Sequence, residues 1–196
     1  MQLAKSMAAE PIYMLSLTKY RPEANYPEHG LVGQLATGHY EPIPLLSAYG
    51  ATLCFAAKVI ASSGGWDEVA VVCYPTRRSF VDLAMRADFR DWHVRKQAMM
   101  DRTAVFGTVP VAQLPHPASA RLVVLEVWHG PAPSPVADGP AVAFDVEGTI
   151  VGDGRSWSGT RYTMIEPGTP LPLHQPRPDY QALLLEPSIE HWQWAN

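Results

Sequence analysis

The sequence predicts an α+β protein built from antiparallel sheets, with two units of similar strand order and few helices in the second unit. Three observations support this fold class. Short apolar runs of strand length alternate with turn residues, helical periodicity is concentrated in the first half, and the 19 prolines cluster in stretches that exclude regular helix. With 47% hydrophobic and 17% charged residues, the 196-residue chain has enough apolar material for a packed core.

The first half is expected to follow the order βαββαβ, the split βαβ unit found in ferredoxin-like folds. Its predicted elements are a strand at 12–19, a weak helix at 31–49, strands at 51–61 and 66–74, a helix at 77–102 and a strand at 104–109. Pro42 and Pro44 weaken the first helix. The second helix carries apolar residues near a 3.6-residue period and is expected to break near Asp88.

The second half is expected to repeat this order with its helices lost. Its predicted strands lie at 121–129, 141–151, 157–166 and 180–186. Two Pro-rich stretches, 134–140 and 168–178, take the places of the helices. We therefore predict a ferredoxin-like unit at 1–112 and a β-rich second unit or degenerate repeat at 113–196. A β-rich extension packed on a single unit is the alternative.

Composition and charge narrow the classes of function. The net charge of −4 and the absence of a Lys/Arg run argue against nucleic-acid binding. No apolar stretch approaches the ~20 residues of a membrane span, and residues 1–10 do not resemble a signal peptide. Two cysteines, Cys54 and Cys73, are too few for a disulfide scaffold and suit small core positions. We expect a cytoplasmic protein whose partner is a small molecule or another chain.

The run WDEVAVVCYPTRRSF at 66–80, followed by Asp88-Phe89 and by TVP at 108–110, resembles a family of short uncharacterised dimeric α/β-barrel domains. The run MLSL at 14–17 resembles the first strand of that family. The resemblance covers residues 10–110. The chain departs from the family at Val94, Arg95 and Lys96, where members carry other basic or His residues. It departs also in the two prolines of the first helix and in its second half.

This resemblance implies geometry rather than a reaction. Members of the wider superfamily include cofactor-free monooxygenases, lactone isomerases, polyketide cyclases, haem-binding and haem-degrading enzymes, and ligand binders. Their antiparallel sheets meet face to face, through dimerisation or fusion of two units, and strand residues line a cavity between the sheets. The resemblance therefore predicts a dimeric or pseudodimeric α/β barrel, and a homodimer if one chain does not close its own barrel.

Polar residues inside apolar strands are the first candidates for chemistry. Glu126 lies between Leu125 and Val127, and a desolvated carboxylate makes a good general base unless it is paired. The alternatives are a solvated Glu126 near the barrel mouth and a structural pair with Arg161. His39, in an irregular segment beside the first hairpin, is the second candidate for proton transfer. A surface histidine is the alternative there.

Four further residues are predicted to bind substrate: Tyr74, Asp145, Trp128 and Tyr13. Tyr74 and Asp145 would anchor the substrate through hydrogen bonds, and aromatic rings such as Trp128 would cap an apolar cavity. A structural role for these aromatic residues is the alternative.

No metal site and no cofactor are predicted. Four acidic residues of the second half would either share a site or simply face solvent: Glu126, Asp145, Glu147 and Glu166. No histidine has a recognised metal-ligand spacing. The turn at 62–65 is glycine-rich but precedes a strand, whereas a phosphate-binding loop needs a helix N-terminus. Two alternatives stay open: haem binding through His39 or His93, and a metal ion held by three ligands from different strands.

The sequence thus favours a small-molecule enzyme of the isomerase, cyclase or monooxygenase type. It would act without a nucleotide cofactor on an apolar oxygenated substrate, by acid/base catalysis in a cavity between two sheets. A ligand-binding or haem-binding protein of the same fold, without catalysis, is the alternative. A structural dimer with exposed polar strand residues is a third hypothesis.

Overall fold

The structure, a computed structural model, describes residues 10–25, 43–112, 121–170 and 177–190. Its strands are β1 (Ile12–Tyr20), β2 (Thr52–Ser62), β3 (Glu68–Tyr74), β4 (Met100–Pro110), β5 (Leu122–Trp128), β6 (Ala141–Val151), β7 (Gly159–Ile165) and β8 (Tyr180–Glu190). Its helices are α1 (Ile43–Ala48), α2 (Arg77–Ala84) and α3 (Ala87–Met99). Within the described ranges, all three helices therefore belong to the first half.

The strands form a closed antiparallel barrel in the order β1-β3-β2-β8-β5-β7-β6-β4. The two halves contribute four neighbouring strands each, and these follow a corresponding order, β4-β1-β3-β2 and β8-β5-β7-β6. Pairing of β2 with β8 and of β4 with β6 joins the halves. Closure leaves each strand hydrogen-bonded on both sides, which removes the open edges that invite association.

The expected ferredoxin-like α+β fold, with sheets packed as a dimeric or pseudodimeric α/β barrel, is wrong. The described chain is mostly strand and forms one closed eight-stranded barrel. The physical reason is that the outer strands of the two halves pair with each other, so the halves share one continuous sheet instead of stacking two separate ones. The boundary predicted near 112 and 113 adjoins residues outside the described ranges and stays a prediction.

The barrel interior is filled by apolar side chains. Strand alternation sends Tyr13, Leu15 and Leu17 inward and the residues between them outward. Aromatic rings from β1, β6 and β7 pack together inside the barrel, where Phe144 lies 5.4 Å from Tyr13 and 5.8 Å from Tyr162 between ring centroids. A barrel of eight strands has an interior just wide enough for side chains to fill it. The space enclosed by the described strands is therefore a packed core rather than the expected substrate cavity.

The helices lie against the outside of the barrel. Thr76 caps α2, since its side-chain oxygen accepts a hydrogen bond from the Ser79 backbone N–H at 3.0 Å. The helix expected at 77–102 with a break near Asp88 is divided at residues 85–86, and residues 100–102 form the beginning of β4 instead of its last turn. Only the last part of the helix expected at 31–49 lies in the described ranges, as α1. None of the described helices is both long and apolar enough to span a membrane.

Candidate functional site

A cavity of about 560 Å³ lies between the outer face of β1, β3 and β4 and the inner faces of α2 and α3. Most of its wall is apolar, with Met14, Val72, Phe80 and Phe89 among the lining residues. Small-molecule sites are concave and largely apolar, with a few convergent polar groups. This cavity has that composition, and it lies outside the barrel rather than between two sheets, where the sequence predicts it.

Two polar side chains of the cavity come from adjacent strands. Thr18 of β1 pairs with Glu68 of β3, and alternation turns Glu68 and Tyr20 outward into the cavity. The Tyr20 hydroxyl donates a hydrogen bond to Glu68 Oε2 at 2.9 Å. The Tyr20 backbone N–H is fixed in turn by Asp67 Oδ2 at 2.8 Å. The strand register thus holds a carboxylate and a phenol together.

Helix α3 supplies the basic groups. Phe89, His93 and Lys96 follow a spacing of four and three residues, so they share one helix face, and all three line the cavity. His93 and Lys96 are half-buried. Arg90, one turn before His93, lines the cavity and is exposed, which puts it at the rim. The polar groups of strand and helix therefore face the same enclosed space.

The cavity shifts the proton affinity of these groups toward their neutral forms. Burial raises the pKa of Glu68, although the hydrogen bond from Tyr20 and the charge of Lys96 oppose this shift. Burial lowers the pKa of Lys96, against the attraction of Glu68. The pKa of His93 is lowered by burial and by the nearby Lys96. Burial and the contact with Glu68 raise the pKa of Tyr20 well above its usual value. Such shifts are typical of groups that transfer protons.

Tyr74 is the predicted substrate-binding residue that lines this cavity. It is buried on the outer face of β3, and its ring contacts Phe80 of α2 edge-on, with 5.3 Å between centroids. It forms part of the apolar wall between sheet and helix.

Glu126, the predicted general base, lies elsewhere and is fully buried on the outer face of β5. Arg161 Nε donates a hydrogen bond to its Oε2 at 2.8 Å, and the Tyr180 hydroxyl donates to its Oε1 at 2.9 Å. Arg161 also donates to the backbone carbonyl of Pro133 at 3.1 Å. Both carboxylate oxygens are thus occupied, which favours the structural pair with Arg161 over a general base.

The other predicted site residues do not converge. Tyr13 belongs to the barrel interior, and Trp128 is buried on the outer face of β5 against Gly159. Asp145 is exposed on β6. His39 lies outside the described residues.

No metal site is formed by the described part of the chain, in which no three His, Cys, Asp or Glu side chains come together as ligands. Glu147 binds Arg77 of α2 through both carboxylate oxygens at 2.9 Å and so fastens the helix to the barrel. The acidic residues of the second half therefore do not assemble into a common site in these ranges.

The sequence does not predict Tyr20 and Lys96 as site residues, and it offers His93 only as an axial ligand for haem. Glu68 carries a signal, since it is a carboxylate in an otherwise apolar strand. The helix face from Phe89 to Lys96 carries another, because it places polar residues where a helix packed on a sheet normally has apolar ones. Tyr20 is the last residue of β1, and nothing in its sequence neighbourhood marks it as a site residue.

Comparisons with known proteins add information on fold only. No protein-family model matches the sequence, and no curated protein matches it significantly. The chain is similar to the crystal structure of methylated RPA0582, with a TM-score of 0.51 and 23% identity over 57% of this chain and 89% of that chain. A second crystal structure of RPA0582, a protein of unknown function from Rhodopseudomonas palustris, gives a TM-score of 0.49 and 24% identity, over 54% of this chain and 86% of that chain. The similarity to an uncharacterised protein thus extends over little more than half of the chain.

Proposed function

We propose that this protein is a small-molecule enzyme that transfers protons in the helix-covered cavity and needs no nucleotide cofactor. The observation that carries the proposal is the meeting of Glu68, Tyr20, His93 and Lys96 in one apolar space of about 560 Å³. The apolar wall suits a substrate with an apolar body, and the polar groups suit an oxygen function such as a carbonyl. Isomerisation and cyclisation are the reaction types that need only these groups.

The reaction would begin with removal of a proton from the carbon next to the substrate carbonyl. The carboxylate form of Glu68 takes that proton, and the electron pair of the broken C–H bond moves onto the carbonyl oxygen. The Lys96 ammonium stabilises the resulting negative charge, which is worth more in a desolvated site than in water. Return of the proton to a different carbon completes an isomerisation. In a cyclisation, the carbanion attacks a second carbonyl of the same substrate to form a C–C bond, and the proton on Glu68 passes to the resulting alkoxide.

Each group has a role that matches its environment. Because burial raises the pKa of Glu68, its carboxylate is a stronger base than an ordinary one. Tyr20 orients this carboxylate through its hydrogen bond. His93, whose pKa is lowered, is neutral near pH 7, so it can donate a proton to the substrate oxygen or accept one from it.

Binding without catalysis is the second candidate function, and the largely apolar lining of the cavity favours it. A haem-binding form of this candidate would use His93 as the axial ligand. Under either candidate the partner is a small molecule. A cytoplasmic location and a homodimer belong to the proposal as well, although one chain closes the barrel and needs no partner strand for this. Two free, buried thiols suit a reducing compartment.

Deuterium exchange into apolar ketones tests the catalytic proposal. The purified protein is incubated in D2O with 2-tetralone or 1-indanone, and incorporation next to the carbonyl is followed by mass spectrometry. We expect exchange above the buffer rate that falls by about 10²-fold or more in Glu68→Gln, as for loss of a general base. Glu186→Gln is the matched control, because Glu186 is exposed and lies outside the cavity lining.

A second measurement links the activity to the geometry. Since the charge of Lys96 lowers the pKa of Glu68, Lys96→Met should move the acid limb of the pH–rate profile to higher pH. Ketone binding, measured by intrinsic fluorescence, without exchange at any pH would favour the binding protein instead. An absorption band near the blue–violet boundary that disappears in His93→Ala would favour haem.

A further inference from the structure

A second cleft, of about 550 Å³, lies at one end of the barrel between the β2–β3 turn and the β6–β7 turn. Its described lining residues are all different from those of the helix-covered cavity. Two of them are Arg102, from β4, and Arg155, from the β6–β7 turn. The cleft is therefore a separate feature, and a ligand bound there would be independent of the proposed enzymatic activity.

Both guanidinium groups are held in place by tryptophans. Arg102 lies 4.4 Å above the ring of Trp66, and Arg155 lies 4.5 Å above the ring of Trp157. Stacking on an aromatic face fixes the plane of an arginine and lowers the entropy lost on binding a ligand. The two cations, one on β4 and one on the β6–β7 turn, are thus preorganised at the same end of the barrel.

The charge of the cleft is positive. Arg155 is paired with Asp153, through both its Nε and its Nη2. Arg102 forms no ion pair with any described residue and donates only to backbone carbonyls of the β2–β3 turn, through Nη2. Its remaining N–H donors suit an anionic acceptor.

The buried side chain of Gln181 connects one arginine of the cleft to one of the tryptophans. Gln181 is 1% exposed, and its Oε1 accepts hydrogen bonds from Trp66 Nε1 at 3.0 Å and Arg155 Nη2 at 3.5 Å. These contacts fix the orientation of the amide. Gln181 Nε2 and Trp157 Nε1 are then left buried without a hydrogen-bond partner among the described residues. Buried N–H groups of this kind usually have an acceptor.

The side chain of Gln181 lies directly under the wall of the cleft. A Cβ added to Gly64, which lines the cleft, would clash with Gln181 Oε1. Glycine at this position therefore lets the amide approach the backbone of the turn. Arg155 contacts this amide oxygen from the cleft, and the carboxylate of Asp153 is already engaged by Arg155.

We propose that this barrel-end cleft binds a small oxyanion, the carboxylate or phosphate group of a small ligand. Forked guanidinium groups bind such oxygens through paired, charge-assisted hydrogen bonds. Arg102, from β4, and Arg155, from the β6–β7 turn, would bind the anion together.

Titration of the ¹⁵N-labelled protein tests this site. Inorganic phosphate and acetate are added separately at constant ionic strength, and the indole N–H signals are followed by NMR, with Trp157→Phe and Trp66→Phe used for assignment. We expect saturable shifts of the Trp157 and Trp66 signals. The anion with the lower dissociation constant identifies which of the two groups the site prefers.

Three variants decide whether the arginines carry the binding. We expect two substitutions to weaken anion binding about tenfold each, as loss of a charge-assisted hydrogen bond does. They are Arg102→Gln, at an exposed position, and Arg155→Lys, which keeps the positive charge beside Asp153. Arg177→Gln is the matched control, because Arg177 is also exposed and paired with an aspartate, Asp179, but lies outside this cleft. Shifts that do not saturate with either anion, or equal weakening by the control, would overturn the proposal. If Arg155→Lys fails to fold, Arg102→Gln alone decides.

Discussion

Removal of the cation beside Glu126 is the sharpest test of how the second half is stabilised. The Glu126 side chain is 0% exposed and the Arg161 side chain 12% exposed, so Arg161→Met would leave a buried carboxylate without its countercharge. Breaking a buried pair in this way costs about 3–5 kcal/mol. For a chain of this size, that loss corresponds to a fall in Tm of roughly 6–20 °C.

Urea unfolding at pH 7, followed by tryptophan fluorescence, measures the effect. Arg78→Met is the matched control, because the Arg78–Asp82 pair has side chains 65% and 44% exposed. Its loss should cost only about 0.3–0.5 kcal/mol. The double variant Glu126→Gln/Arg161→Met should recover much of the stability, since the introduced amide has no charge and can still accept a hydrogen bond from Tyr180.

A result in which Arg161→Met costs no more than Arg78→Met would refute this account. In that event Glu126 must reach water or another cation, and its assignment as a structural residue is wrong. A catalytic Glu126 predicts a different outcome: Glu126→Gln would remove activity while Arg161→Met altered its pH dependence. The two sets of measurements therefore separate the structural interpretation from the catalytic one.

Single contacts support three further predictions. Burial raises the pKa of Glu68 above about 4.3, the ordinary value for a glutamate, so the stabilising effect of its protonated form is complete below that pH and is lost as the pH rises through the folded-state pKa. In urea titrations, Glu68→Gln should therefore become more stable relative to wild type as the pH rises. Gly159→Ala should lower stability by about 1–3 kcal/mol in thermal melts, because its Cβ would lie 2.5 Å from the Trp128 ring, and an unchanged Tm would contradict this packing. Cys54 and Cys73 are buried free thiols and should react with a thiol reagent at the rate of unfolding, whereas rapid native-state labelling would refute their burial.

Local sequence signals were enough to locate most of the strands. The hairpin predicted at 51–61 and 66–74 is β2 and β3, because apolar, β-branched runs on either side of a glycine turn favour strands. The strand predicted at 12–19 is β1 within one residue. Closure of the barrel was not predictable in the same way. It depends on pairs such as Ala56 with Ile189, which lie far apart in the sequence and follow no motif.

In the candidate site, as in the fold, the sequence reveals features that depend on neighbouring residues but not those that depend on distant ones. The apolar surroundings of Glu126 and Glu68 mark both as unusual, and the structural pair with Arg161 is one of the alternatives that the sequence leaves open for Glu126. No sequence pattern showed that α3 brings Lys96 over the strand that carries Glu68. That position depends on how the helix lies on the barrel, which is a property of the folded chain.

Glu126 and Glu68 show why burial alone does not identify a catalytic carboxylate. Each lies in a strand of otherwise apolar residues, and each accepts a hydrogen bond from a tyrosine at 2.9 Å. Glu126 also has Arg161 on its second oxygen and is closed off beneath the chain around Pro133, so its charge is satisfied within the protein. Glu68 faces a cavity large enough for a small molecule, and the charge of Lys96 acts on it from the opposite wall. A ligand entering that cavity would complete the surroundings of Glu68, whereas both oxygens of Glu126 are already engaged by the protein itself.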